Sequence, residues 1–270
     1  MLDGITRGVA HCAGAAKISA PMKIATWNVN GIRARFEEVV AFAETERPDV
    51  MCLQEIKAAQ DQVPDGLFGL ADYYNYWHGA PGGYSGVSLH VRRGAFEGEP
   101  EFSHPAFDIE CRIVEVTCTN VVVASVYVPN GNKDFGAKLR FLDAMRPHVE
   151  ALLTAGRELV LCGDLNVTRG DNDVTPKDRK PGAMGQRREE RERFEAILDA
   201  GLVDVMRARS PDDDALFTWW PPWREMKQKN RGWRIDYTLV SRGLYERVTR
   251  CEVLRSVGTS DHGPVVLELA

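Results

Sequence analysis

The sequence holds no Cys-x-x-Cys pair, no internal repeat, no low-complexity tract and no excess of positive charge. Each absence excludes something. The six cysteines (Cys12, Cys52, Cys111, Cys118, Cys162, Cys251) are scattered through 270 residues. That spacing rules against a zinc-finger framework, and Cys52 and Cys162 lie inside apolar runs. They are expected to be reduced core thiols, as in a reducing cytoplasm. No apolar stretch approaches the roughly 18 residues of a membrane span. Residues 1–21 lack both periodicity and the long apolar region of a secretory signal. They read as a disordered extension ahead of Met22, with 22–270 forming one domain and the chain a cytoplasmic monomer. The net charge is -5, which argues against a non-specific polyanion binder. Charge is local, however. Between Trp223 and Arg234 lie Arg224, Lys227, Lys229, Arg231 and Arg234, with Glu225 as the only acid.

Hydrophobic content of 44% is ample for a core, and 27% charged content is ordinary for a soluble protein. The apolar runs are short and regularly punctuated. Lys23–Val29, Asp49–Leu53, Tyr73–Trp77, Val87–Val91, Cys111–Thr117, Val121–Val128, Phe217–Trp220, Ile235–Val240 and Val265–Leu269 read as strands. Arg33–Glu46, Asp134–Leu153 and Arg187–Ala200 have apolar positions at helical spacing. Residues 168–185, rich in Gly, Pro, Asp, Lys and Arg, read as an exposed loop. This alternation predicts an α/β or α+β domain without choosing the arrangement of its sheets.

Polar residues recur where apolar runs end. The run Leu159–Cys162 breaks at Gly163 and presents Asp164 and Asn166. Positions i and i+2 of a strand share a face, so a carboxylate and an amide should emerge side by side. The simpler alternative is a strand closed by an Asx-type turn. Asn28 and Asn30, Glu55, Tyr127 and Asn130, Asp236, and Ser260-Asp261-His262 occupy similar positions. One such residue is commonly a cap; this many suggests strand ends converging on one cleft. Glu55 and Asp261 are hard oxygen donors suited to magnesium, and no Cys/His cluster offers a soft-metal site. His262 can serve as a base or as a cation facing phosphate, with Asp236 fixing its tautomer. His11, His78, His90, His104 and His148 read as surface or packing residues.

Seven segments occur in order: Trp27-Asn28-Val29-Asn30-Gly31-Ile32-Arg33, Leu53-Gln54-Glu55-Ile56-Lys57, Gly83-Tyr84-Ser85-Gly86-Val87, Tyr127-Val128-Pro129-Asn130-Gly131, Gly163-Asp164-Leu165-Asn166, Gly232-Trp233-Arg234-Ile235-Asp236-Tyr237 and Ser260-Asp261-His262. The ordered set resembles the exonuclease III family of apurinic/apyrimidinic endonucleases over about residues 22–270. The resemblance implies an α/β fold, a four-layer sandwich of two packed mixed β-sheets flanked by helices. It implies Mg2+ (or Mn2+) bound by Glu55 with Asn28 and Asp261 nearby. Asp164, Asn166, Tyr127, Asp236 and His262 would be catalytic, with Asp164 and His262 both open as the general base. Asn30, Arg33, Lys57, Gly83, Tyr84, Asn130, Trp219, Lys229 and Trp233 would meet the substrate. That substrate would be double-stranded DNA with abasic sites or blocked 3′ ends, cut 5′ to the lesion or trimmed from the 3′ side.

The tryptophans of Phe217–Trp223 have two readings, core packing or the wall of a lesion pocket. Two rival functions stand beside the nuclease: a superfamily phosphodiesterase acting on RNA or phospholipid, and a catalytically inactive DNA-binding module. The segment Trp233-Arg234-Ile235-Asp236-Tyr237 argues against the first. The presence of every expected acid, amide and histidine argues against the second.

Overall fold

Two six-stranded mixed sheets organise the residues that the computed structural model describes, 21–63 and 70–270. The expected disordered segment 1–21, apart from Pro21, lies outside them. The first sheet contains β1 (Met22–Asn28), β2 (Val50–Gln54), β3 (Tyr73–His78), β4 (Val87–Arg92), β11 (Val248–Val253) and β12 (Val265–Leu269). Their spatial order is β11-β12-β1-β2-β4-β3. The second contains β5 (Glu101–Ser103), β6 (Ile113–Cys118), β7 (Val121–Tyr127), β8 (Glu158–Asp164), β9 (Leu202–Asp204) and β10 (Asp236–Ser241), ordered β5-β6-β7-β8-β10-β9. Each sheet has one parallel pair, β1 with β2 and β7 with β8. The remaining neighbours are antiparallel.

Strand alternation sorts the side chains into three apolar layers. Met22 and Ile24, Val50 and Cys52, Val121 and Val123, and Val160 and Cys162 meet between the sheets. Ala25, Trp27, Met51 and Leu53 face outward and pack against Val39, Phe42 and Ala43 of α1 (Phe36–Glu46). Val122, Leu159, Leu161 and Leu239 face the other way. They meet Phe141, Leu142 and Met145 of α2 (Phe135–Thr154) and Phe194 and Ile197 of α3 (Arg188–Asp199). The result is helix, sheet, sheet, helix, the expected four-layer sandwich. Short helices α4 (Val205–Arg209) and α5 (Arg242–Tyr245) complete the described elements.

The inner rows carry a gradient. Toward one edge of the sandwich, apolar side chains give way to Thr26, Gln54, Ser125 and Thr238, all buried. Thr26 Oγ1 donates to Gln54 Oε1 at 3.1 Å. Gln54 Nε2 donates across to Ser125 Oγ at 3.0 Å. These bonds satisfy polar groups that would be costly if buried alone. Beyond them, at the ends of the same rows, stand Asn28, Tyr127, Asp164 and Asp236.

Several expectations need correction. Phe217–Trp220 is not a strand; Trp219 makes only isolated bridges to Trp233 and His262. The prolines at 221 and 222 stop the run from extending. β5, β9 and β11 were not anticipated, because β5 and β9 span only three residues each and the burial of β11 is mixed. The 168–185 loop is irregular but not uniformly exposed: Thr168, Asp173 and Val174 are buried. Cys52 and Cys162 are buried free thiols, as expected.

His90, read as a surface or packing residue, is a fully buried member of β4. Its Nδ1 donates to Asn75 Oδ1 at 2.7 Å, so Nε2 accepts from Ser88 Oγ at 2.8 Å. Both bonds suit the neutral ring, and burial lowers the pKa to about 3. The unfolded chain takes up this proton near pH 6.5 and the fold does not. Stability from this site is therefore full above about pH 6.5 and drains as pH falls toward 3, by a limit on the order of 5 kcal/mol. Urea melts at about pH 7 and about pH 4.5 should show a smaller loss in His90→Gln than in the native chain. Equal losses would remove His90 as an acid-sensitive element.

Candidate catalytic site

The same turn closes β1 and β8, one in each sheet. Asn28 Oδ1 accepts from Asn30 N at 2.9 Å, and Asp164 Oδ1 accepts from Asn166 N at 2.9 Å. Asn30 and Asn166 both take left-handed backbone, with φ of 45° and 52°. Asn adopts that region more readily than most side chains. The Asx turn considered as the simpler reading is thus present, and it shapes the site. Asp164 and Asn166 converge through this turn, since the strand itself ends at Asp164. Gly163 precedes them at φ 136°, where a Cβ would stand 2.0 Å from Val126 O. Glu55, at the end of β2, is also left-handed at φ 54°. Such backbone in a side chain other than glycine or Asn costs free energy that the surrounding packing must offset.

Three ionisable groups meet here. Glu55, Asp164 and His262 each offer a ligand atom within 4.8 Å of the others. Asn28, wholly buried, donates from Nδ2 to Glu55 Oε2 at 3.0 Å and to Asp164 Oδ2 at 2.9 Å. One amide thereby joins carboxylates from the two sheets. Asn166 Nδ2 donates to Val128 O at 3.0 Å and Asp164 Oδ2 at 3.2 Å. His262 Nδ1 donates to Asp236 at 2.9 Å, leaving Nε2 for other partners. Burial alone would lower the His262 pKa, but the Asp236 carboxylate outweighs it, with help from Asp164 and Asp261. The value rises to about 10, which favours the protonated ring. Asp164 is pushed up to about 7, first by burial and then by Asp236, against the opposing pull of His262. Burial likewise raises the Tyr127 phenol, and Glu55 and Asp164 add to it.

The donor set suits a hard divalent cation. Its oxygens come from carboxylates, and one ammonium already sits among them: Lys57 Nζ is 2.6 Å from Glu55 Oε1 and 2.6 Å from Asn30 Oδ1. Asn28 and Asp261 stand beside this trio, as expected, with their side chains already engaged. The Asn28 oxygen is turned to Asn30 N and its donors face the acids. Asp261 lies outside the convergent trio; its oxygens accept from Asn30 Nδ2 and Trp219 Nε1, each at 2.9 Å.

Glu55, Tyr127, Asp164, Asn166, Asp261 and His262 line one cavity of about 430 Å³, with Asn30, Lys57, Tyr84 and Asn130 on its sides. Trp219 and Trp233 form another wall, packed edge to face at 5.6 Å between ring centres. Both are half-buried, whereas neighbouring Trp220 is core, 1% exposed. Arg33 is exposed beside Lys57, to whose carbonyl it donates at 3.5 Å. Gly83 lies close to the Lys57 backbone. Lys229 is not brought to the cavity; it pairs with Glu225 at 3.1 Å.

A profile of the Endonuclease/Exonuclease/phosphatase family matches residues 25–262. The chain belongs to this family. Its relatives place it in the exonuclease III branch. It is similar to an exodeoxyribonuclease of Bacillus subtilis (strain 168), 35% identical over 256 residues, covering 91% of this chain and 98% of that protein. It is 32% identical to Recombination repair protein 1 of Drosophila melanogaster over 91% of its own length; it spans only 37% of that longer protein. The structure of an AP endonuclease from Archaeoglobus fulgidus superposes with a TM-score of 0.81 at 28% identity, covering 91% of this chain and 98% of the other.

In this exonuclease III relative, other residues hold the site and were not singled out from the sequence. Lys138 of α2 is wholly buried. Its Nζ donates to Asn130 O at 3.3 Å, to Asn166 O at 2.7 Å and to Glu190 of α3. Glu190 in turn accepts from Gly185 N and Arg187 N. A sequence signal existed, since Lys138 falls on the apolar stripe of Phe141, Leu142 and Met145. Arg112 is buried against Tyr127, with its guanidinium 4.9 Å from the ring centre. Arg234, counted in the basic loop, is instead 1% exposed and bidentate to Asp173 and Asp204. Lys227 turns inward to carbonyls, including Ser260 O at 2.9 Å. The loop's outward cations are Arg224, Lys229 and Arg231.

Removing one partner of a buried ion pair strands the other charge, at about 3–5 kcal/mol. Lys138→Met should therefore lower unfolding free energy by about that amount. Adding Glu190→Gln should recover part of it, because the stranded charge is gone while an acceptor for Gly185 N remains. Denaturant melts of the two variants check this; a double variant less stable than Lys138→Met would contradict it.

Proposed function

We propose that this chain is a magnesium-dependent DNA repair nuclease that hydrolyses the phosphodiester 5′ to abasic sites in double-stranded DNA, leaving a 3′ hydroxyl. Trimming of blocked 3′ ends is the accompanying activity. One observation carries the reading. Acids from two sheets, Glu55 and Asp164, meet His262 in one cavity walled by Trp219 and Trp233.

The roles follow from the donors. Glu55 is the principal metal ligand, and Mg2+ (or Mn2+) bound there would neutralise charge on the phosphoryl and leaving oxygens. Asp164 accepts the proton of the attacking water, which Asn166 helps to hold. This assignment is supported by the carboxylates around His262, Asp236 first, which raise its pKa and favour keeping a proton on the ring. His262 Nε2–H instead faces a phosphoryl oxygen and stabilises the charge that grows there, while Asp236 orients the ring. Tyr127 directs its phenol to the same phosphate or leaving group. Asn30, Arg33, Lys57, Gly83, Tyr84 and Asn130 would steady the flanking backbone, with Lys229 at a distance.

Lesion choice follows from the cost of extrusion. An abasic sugar has no base to unstack, so swinging it out is less costly than flipping an intact nucleotide. The Trp219 and Trp233 wall offers the extruded sugar an apolar face. The deciding experiment is cleavage of a duplex carrying an abasic analogue, beside undamaged and 3′-phosphate duplexes, with magnesium and then with chelator. Incision opposite neither lesion, or incision unaffected by chelator, would defeat the proposal. Trp219→Leu and Trp233→Leu should lower the ratio of abasic-site cleavage to 3′ exonuclease rate while the melting temperature holds. A preserved ratio with a lowered melting temperature would make these rings structural.

His262→Ala should cost more than Asp236→Ala, on a scale of about 10²–10⁴-fold for a group stabilising the transition state. The double variant should lose much less than the product of the single losses, because the pair acts as a unit. Single-turnover rates of the three variants measure this, and multiplicative losses would separate the two residues.

A further inference from the structure

Away from the catalytic cavity, two histidines and an acid meet between the sheets. His78 ends β3 of the first sheet. His104 and Asp108 lie in the connection between β5 and β6 of the second. The sequence separates them by up to 30 positions, so no ligand spacing announced them. The sequence shows no Cys/His cluster, and it is the fold that brings these two histidines and the acid together. His78, His104 and Asp108 each present a ligand atom within 4.8 Å of the other two.

The surroundings prepare these groups as ligands. His78 Nε2 is 2.6 Å from Asp108 Oδ2. Asp108 is fixed through its other oxygen, which accepts from Arg112 N at 2.8 Å and Ile113 N at 3.1 Å. His104 Nδ1 donates to Ile113 O at 3.3 Å. That sets the tautomer and leaves the Nε2 lone pair outward, where it now accepts from Tyr76 OH at 2.7 Å. Metal-binding histidines commonly hold their second ring nitrogen to a backbone carbonyl in this way. The two rings lie 3.9 Å apart between centres, and His104 is exposed, so an ion can reach them from solvent.

We propose that His78, His104 and Asp108 form a second metal site, selective for a zinc-class divalent cation and separate from the catalytic oxygens. Two imidazoles and one carboxylate are a zinc-type donor set, leaving a fourth position for water. Magnesium favours oxygen ligands and is poorly served by imidazole. His78 gives up its Nε2 proton, to Nδ1 or to solvent, as the cation enters between Nε2 and Asp108, so no further reactant is required. An ion there would tie β3 of one sheet to the β5–β6 connection of the other.

The test is titration of the metal-free full chain with Zn2+ by calorimetry, and with Co2+ by visible absorption, both in excess Mg2+. One Co2+ per chain with visible ligand-field bands is expected, retained in Glu55→Gln. His104→Ala should weaken it by more than about tenfold, and His78→Ala/His104→Ala should abolish it. Magnesium-supported nuclease activity should survive His104→Ala, because His104 lies outside the catalytic cavity. Binding unchanged in His104→Ala, binding lost in Glu55→Gln, or displacement by Mg2+ would each overturn the proposal. The first of these would leave His78 and Asp108 as a plain hydrogen-bonded pair between the sheets.

Discussion

The buried amide of Asn28 is the constraint on which the site depends. It donates to Glu55 and to Asp164, which belong to different sheets, and it has no exposed surface. Two carboxylates this near repel one another and favour protonation. A donor fixed between them lowers that repulsion and sets their spacing at once. Its own oxygen is occupied by Asn30 N, so the amide has one orientation that satisfies every partner. The carbonyl of the same residue accepts from Ser260 Oγ at 2.8 Å. The segment that delivers His262 is thus tied to the end of β1 as well.

The support below this point is graded. The inner rows of both sheets are apolar at one end, hydroxyl- and amide-bearing in the middle, and acidic at the site. Thr26, Gln54 and Ser125 link the sheets by hydrogen bonds beneath Asn28. The low local dielectric of that layer strengthens each bond and raises the cost of breaking one. It also shifts the groups above it. Asp164 rises to about 7 by burial first, and His262 rises to about 10 because nearby carboxylates overcome burial. Lys138 and Arg234 fix the outer rim in the same manner, each a buried cation satisfied by acids or carbonyls on several segments.

Two aromatic residues adjacent in sequence have opposite fates. Trp219 lines the cavity and gives its indole N–H to Asp261, whereas Trp220 is packed inside and gives its own to Asn230. Alternation along a short extended segment sends neighbours to opposite sides, but which side faces the cavity depends on the bridge from Trp219 to Trp233. The approach is close: at Gly232 a Cβ would meet Trp219 O at 2.1 Å. The basic loop shows the same dependence. Lys227 and Arg234 count as cations in composition, yet one is turned to carbonyls and the other is locked between acids.

Local pattern was enough for much of this chain. Short continuous apolar runs identified β1, β2, β7, β8 and β12, because a strand buried on both faces needs apolar side chains at nearly every position. Polar residues at the ends of those runs marked Asn28, Glu55, Asp164 and Asp236, because a carboxylate or amide at a strand end requires a partner. Motif order gave the family. What the local pattern could not specify was anything fixed by partners distant in the chain. The Asn28–Asp164 bond spans 136 positions, and the Glu190 that anchors Lys138 lies 52 positions away. His78, His104 and Asp108 come together only because one sheet's edge lies over the other sheet's connection. A side chain's polarity and period are properties of its neighbours in sequence. Its charge state, its tautomer and the direction it faces are set by the groups that packing brings to it.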